Sequence, residues 1–174
     1  MHPIGTEELL TYFSSAEGNS KRFIGAEFEV VGFDLSTAQP ITYSGEKGVH
    51  VVLQRMVETG WAPEMERGNV VALQQGEARV TLEPGCQVEL STPPRASAHE
   101  LTQDLSRFRQ ALSSASEGLD IAWIGIGLNP ISKWEDISLV PKERYDIMTD
   151  YLKERGTLAL DMMRCTQSVH VTLD

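Results

Sequence analysis

Residues 22–34 read RFIGAEFEVVGFD: Ile24, Ala26, Phe28 and Val30 alternate with Gly25, Glu27 and Glu29. A period of two is the signature of a strand, whose successive side chains point to opposite faces. One face is built for a core, and the other presents two carboxylates about 7 Å apart along the strand. A second acidic run, VTLEPGCQVELS at 80–91, sets Glu83 and Glu89 on either side of Pro84-Gly85. Their parity matches, a bulge at the Pro84-Gly85 break would shift it, and CQVELS is expected to continue the strand.

The remaining elements follow from the same kind of reading. GTEELLTYFSSAE predicts a first helix with Thr6 as N-cap and Leu9, Leu10 and Phe13 as its apolar stripe. KGVHVVLQRMVETG carries Val49, Val52, Leu53, Met56 and Val57 at helical spacing and ends at Gly60. NVVALQQGEARVTLEP predicts two short strands joined around Gln75-Gly76. Ser97 and Glu100 form a capping box that opens a helix with Leu101, Leu105, Phe108 and Leu112 on one face. DIAWIGIGLNP is short and nearly all apolar, which predicts a central strand. Its glycines do not make a dinucleotide loop, because the run ends in Asn129-Pro130 instead of opening a helix. Pro141 sits at the start of the helix PKERYDIMTDYLKERG, which Gly156 ends. SVHVTLD alternates once more, with His170 and Thr172 opposite Val169, Val171 and Leu173. This order predicts an α+β fold: a mostly antiparallel sheet covered on one side by helices, its other face carrying Glu27, Glu29, Glu83, Glu89 and His170.

At 174 residues, 41% hydrophobic and 23% charged, the chain has the size and balance of one globular domain. A formal charge of −10 argues against a nucleic-acid partner, which calls for a basic face. It leaves room for a nucleotide site, because divalent cations reverse the field around carboxylates. No window is apolar enough for a membrane helix, and the N-terminus lacks the order of a secretory signal. Cys86 and Cys165 stand outside metal-ligand spacing and read as buried small residues, so the expected compartment is the cytoplasm.

Four glutamates on one sheet face repel unless cations or arginines offset them, and hard oxygen donors suit Mg²⁺. The plain alternative is that they face water, as half the residues of a one-sided sheet do.

Five words in fixed order sharpen the choice: IGAEFEVVGF, VTLEPGCQVELSTPP, IGIGLNPISKW, VPKERYDIMTDYL and LALDMMRCTQSVHVTLD. From about residue 22 onward the chain resembles the N-terminal part of the plant-type glutamate–cysteine ligases, within the wider carboxylate–amine ligases. The resemblance implies a curved antiparallel sheet related to glutamine synthetase, with ATP and Mg²⁺ at one end of a funnel. It implies phosphorylation of the glutamate γ-carboxylate by ATP and attack of the cysteine amine on the acyl phosphate. By the same resemblance Glu27, Glu29, Glu83 and Glu89, with His170, hold the metal, and Gln87, Arg144 and Tyr145 contact substrate. A glycosidase using two of the carboxylates fits the flanking words less well.

Two departures stand out. Cys86 occupies a position where the family has a second glycine, and the stretch after LDMM lacks the Phe-Arg pair of the plant enzymes. The latter leans toward bacterial members, including those serving ergothioneine in place of glutathione. Family members are longer, so residues 1–174 are expected to be the N-terminal portion of one catalytic domain. The alternative expectation is a non-catalytic remnant that binds Mg-nucleotide or needs a partner chain. An exposed sheet edge then invites self-association.

Overall fold

The computed structural model describes residues 4–14 and 22–173. In chain order its elements are α1 (Thr6–Ser14), β1 (Ile24–Asp34), α2 (Val49–Glu58), β2 (Ala62–Glu66), β3 (Asn69–Gln75), β4 (Ala78–Leu82), β5 (Val88–Ser91), α3 (Ala98–Ala115), β6 (Ile121–Ile124), a short 3-10 turn (Trp134–Asp136), α4 (Glu143–Leu152), α5 (Ala159–Cys165) and β7 (Val169–Leu173). The class is α+β, as the alternation predicts. The seven strands form one antiparallel sheet of order β2-β3-β4-β5-β1-β6, with β7 also paired to β1.

β1 is the strand on which the sheet converges. It pairs with β5 along one edge; along the other, β7 takes Ile24–Phe28 and β6 takes Val31–Asp34. Cross-strand register then sorts the faces. Leu73, Val80, Leu90 and Phe28 are successive neighbours on one face. They pack against Val49, Val52, Leu53 and Met56 of α2 and Phe108 and Leu112 of α3. Gln74, Arg79, Ser91, Glu27 and His170 form a row across the opposite face, and Ala72, Thr81, Glu89 and Glu29 form the next row.

The Pro84-Gly85 stretch departs from expectation. It does not interrupt a strand; it reverses the chain and makes β4 and β5 a hairpin. Cys86 N–H closes the turn on the Glu83 carbonyl at 3.0 Å, and Glu83 N–H donates to Gln87 O at 2.9 Å. Cys86 itself is left-handed, φ +66°, the position a glycine normally takes in a three-residue hairpin loop. The glycine that close approach requires is its neighbour. A Cβ on Gly85 would lie 2.1 Å from the Arg164 carbonyl oxygen.

Other differences have local causes. β2 was not expected, because Pro63 demotes a strand; it survives as an outermost strand, joined to β3 by the left-handed pair Arg67 (φ +50°) and Gly68 (φ +78°). The apolar run after Asp120 gives only four strand residues at the end of the sheet order, not a central strand. α5 was also unexpected, its seven residues too few to show a helical period. The expected stripe on α1 is exposed: none of its residues is buried.

α3 is fastened by the predicted cap, Ser97 Oγ accepting from Glu100 N–H at 3.3 Å and Glu100 Oε2 from Ala96 N–H at 2.8 Å. Asp104, one turn further, is buried between Arg95 (2.6 and 2.9 Å) and Arg107. Burial raises its pKa, but the bonds from the two arginines outweigh burial and hold Asp104 below the usual carboxylate range. Its contribution to stability is therefore complete above about pH 4 and is lost as pH falls through the lowered folded value. Asp104→Asn should cost about 2–3 kcal/mol at pH 7, and urea unfolding at pH 7 and pH 2.5 should show the difference from the unsubstituted chain shrinking at the lower pH.

Candidate functional site

The polar face carries four of the five expected metal donors as two cross-strand pairs in adjacent rows, and the hairpin places the fifth beside one pair. Glu29 and Glu89 are direct partners across β1 and β5, an arrangement in which opposed side chains lie about 5 Å apart at Cβ. Glu27 is the partner of His170, whose Nδ1 lies 3.1 Å from Glu27 Oε2. Glu83 lies just beyond β4, two residues past Thr81, and Thr81 is the partner of Glu89. The two glutamates of the hairpin thus stand diagonally across neighbouring strands.

Like charges opposed across strands destabilise a sheet, and the surrounding groups offset this one by one. Ser168 donates twice to Glu29, from N–H at 3.1 Å and Oγ at 2.9 Å. Thr81 Oγ1 and Ser91 Oγ donate to one oxygen of Glu89 at 3.0 and 3.2 Å. Glu89 is the most enclosed of the set, 8% exposed. Burial pushes the Glu29 carboxyl above its ordinary pKa; Ser168 opposes the rise and Glu89 adds to it. Burial also raises Glu83, followed by repulsion from Glu89, while Arg144 and Lys142 pull it down.

The expected substrate residues lie behind and beside Glu83. Arg144 is largely exposed, its guanidinium 3.9 Å from Glu83 Oε1 and stacked on the Tyr145 ring. Tyr145 is fully buried; its hydroxyl donates to Leu82 O at 2.6 Å and lies 3.5 Å from Glu83 Oε1. Gln87 is buried too, and its amide is spent on backbone: Oε1 accepts from Gly85 N–H at 2.7 Å, and Nε2 donates to Thr166 O at 2.7 Å and Arg164 O at 3.4 Å. Gln87 and Tyr145 therefore fix the Glu83 turn, and only Arg144 of the three faces outward.

Four further residues belong to this centre and escaped the sequence reading: Thr81, Ser91, Ser168 and Lys142. Thr81 and Ser91 share the parity of the glutamates, a usable signal that hydroxyl residues seldom earn on a polar strand face. Ser168 and Lys142 reach the site through tertiary contacts that no local pattern announces. Both cysteines are free and buried, and burial pushes the Cys86 thiol up to about 12, which removes it as a nucleophile.

Among the described residues, no three His, Cys, Asp or Glu side chains converge closely enough to hold an ion in their present rotamers. The chemistry of the donor set nevertheless suits a hard divalent cation: carboxylate oxygens, with Glu29 and Glu83 partly desolvated and raised in pKa. No helix among the described residues is long and apolar enough to cross a membrane.

An acidic, oxygen-rich centre on the open face of an antiparallel sheet defines the class of site, and comparison with known proteins defines the family. The family model for Glutamate-cysteine ligase family 2 (GCS2) matches residues 23–174, and the chain belongs to that family. It is 36% identical over 174 residues to the chloroplastic glutamate–cysteine ligase of Arabidopsis thaliana, covering 99% of this chain and 33% of that protein. It is 35% identical over 176 residues to the Medicago truncatula chloroplastic enzyme and 34% identical over 174 residues to glutamate–cysteine ligase B, chloroplastic, of Oryza sativa subsp. japonica, covering 99% of this chain and 34% of each relative. The chain spans about a third of the length of the curated relatives it matches. These names overturn the cytoplasmic expectation, since the relatives are chloroplastic. Two free, buried thiols do not select the cytoplasm from other compartments.

Because the folded state raises the pKa of Glu83, ionisation there opposes folding. The stability that Glu83 contributes is present below its unfolded value, about pH 4.3, and is lost as pH rises through the folded value. Glu83→Gln should therefore raise the Tm of the metal-free chain at pH 8 and leave it unchanged at pH 4, as followed by circular dichroism.

Proposed function

We propose that this chain is the N-terminal portion of a catalytic domain of glutamine synthetase-like fold. The domain joins the γ-carboxylate of glutamate to the amine of cysteine at the expense of ATP. The observation that carries this reading is the opposed pair Glu29–Glu89 with Glu83 beside it, in a member of the ligase family. Opposed like charges destabilise an ordinary sheet face, and a bound cation would relieve that repulsion.

Glu27, Glu29, Glu83 and Glu89, with His170, are the residues that would hold Mg²⁺. When bound, Mg²⁺ supplies neutralisation and alignment of the phosphates against the substrate carboxylate. Arg144, exposed beside Glu83, binds a substrate carboxylate or the transferring phosphoryl group, and the Tyr145 ring under its guanidinium fixes its plane. Gln87 and Tyr145 serve the substrate indirectly, by holding the turn. In the first step a γ-carboxylate oxygen of glutamate attacks the γ-phosphorus of ATP and ADP leaves. In the second the cysteine nitrogen attacks the acyl carbon of γ-glutamyl phosphate, phosphate leaves and the amine loses a proton. The product, γ-glutamylcysteine, is a precursor for thiols of the glutathione or ergothioneine type.

The test is ADP release by the purified 174-residue chain with Mg-ATP, glutamate and cysteine. The expected result is release that requires both amino acids and falls by about 100-fold or more in Glu83→Gln. No release from a demonstrably folded chain would overturn autonomous catalysis and leave a part that needs a partner chain or a remnant that only binds Mg-nucleotide.

A further inference from the structure

Lys142 is the residue whose placement neither the core nor the proposed ligand set explains. It is 8% exposed, and among the described residues it forms no ion pair. Its ammonium donates to Leu82 O at 2.7 Å and to the Tyr145 hydroxyl at 3.5 Å, and it lies 5.2 Å from the centre of the Tyr145 ring. Burying an ammonium without a carboxylate partner is costly. The Leu82 carbonyl does not require it, because the Tyr145 hydroxyl already donates there at 2.6 Å. What Lys142 adds is a second hydrogen-bond tether at the residue immediately before Glu83.

The backbone around it points the same way. Val140 N–H donates to Pro84 O at 3.0 Å, so the segment carrying Lys142 grips the hairpin turn on the far side of Glu83 as well. Tyr145 N–H in turn donates to Lys142 O at 3.0 Å, which fixes the amine and the phenol as one unit at the start of α4. Leu82, Glu83 and Pro84 are thereby held by a single short segment, with Lys142 as its only buried charge.

We propose that Lys142 is a positioning residue for the cation site: by holding Leu82 O and the Tyr145 hydroxyl it keeps the Glu83 carboxylate turned to the polar face beside Glu89. The proposal rests on the reading of Glu83 as a metal ligand, and its test separates the two. Mn²⁺ serves as the probe, titrated into the 174-residue chain and followed by electron paramagnetic resonance, with hydrogen exchange of the Cys86 amide measured on the same samples. The unsubstituted chain, Glu83→Gln, Lys142→Met, Lys142→Arg and the surface control Lys153→Met are compared well below their unfolding temperatures. Lys142→Met should weaken Mn²⁺ binding by about tenfold, as loss of a group supporting a ligand does. It should also speed Cys86 exchange; Lys142→Arg should recover most of the binding, and Lys153→Met should change nothing. Unchanged binding in Lys142→Met alongside weakened binding in Glu83→Gln overturns the role of Lys142 and leaves the metal reading intact. Equal losses in Lys142→Met and Lys142→Arg assign the effect to packing and overturn it too. Absence of Mn²⁺ binding by the unsubstituted chain overturns the metal reading and with it the role proposed for Lys142 there, while the Cys86 exchange still reports whether the turn is held.

Discussion

Glu29 and Glu89 face each other across two antiparallel strands, and much of the surrounding structure follows from keeping them there. Two carboxylates at cross-strand distance repel, and the repulsion strengthens as water is withdrawn. The fold does not answer with an arginine between them. It answers with hydroxyls and one backbone N–H: Ser168 on Glu29, Thr81 and Ser91 on Glu89. Such donors steady a carboxylate without neutralising it, so the negative potential of the face is kept. Beside Glu83 positive charge comes from Arg144 and Lys142, while Arg79 stands in the neighbouring row, paired to Glu64.

Keeping repelling groups in place requires a stiff support, and the chain supplies one from each side of the sheet. Beneath, α2 and α3 pack on Leu73, Val80 and Leu90, which fixes β3, β4 and β5 to one another. At the end of the sheet the β4–β5 turn is held by Val140, Lys142 and Tyr145 on one flank and by the Gln87 amide, with Gly85 against Arg164 O, on the other. That enclosure accounts for a left-handed Cys86. A conformation that costs an ordinary residue about 1–2 kcal/mol persists because the contacts around it allow no other path.

The faces of the sheet were legible because a strand has a period of two, and no other element maps sequence to direction so simply. Glu27, Glu29 and His170 were placed on one face from alternation alone, and register then set Glu27 against His170. The relation of Glu83 to Glu89 was not legible, since Pro-Gly serves a bulge and a turn equally well. The residue that marks this hairpin is Cys86 instead of the glycine the loop prefers. β2 hid behind Pro63, and the strand after Asp120 looked central because an apolar run is silent about which neighbours it has. Ser168 and Lys142 lie 139 and 59 residues from the glutamates they serve, and only the assembled sheet brings them near.

The hydrogen bonding of the three inner glutamates also bears on what the face can accept. A carboxylate offers about four lone-pair positions. Glu29 has committed two of them and Glu89 two, both of the latter on a single oxygen, while Glu83 has only long contacts. Each carboxylate therefore keeps acceptor capacity on the open face. Protons would use that capacity in acid, and an arginine would engage one carboxylate at a time through its planar fork. A small hard cation that retains several waters demands neither planarity nor full enclosure. Firm holds on Glu29 and Glu89 and looser ones on Glu83 would suit such an ion in the proposed reading, two donors anchored and one free to adjust.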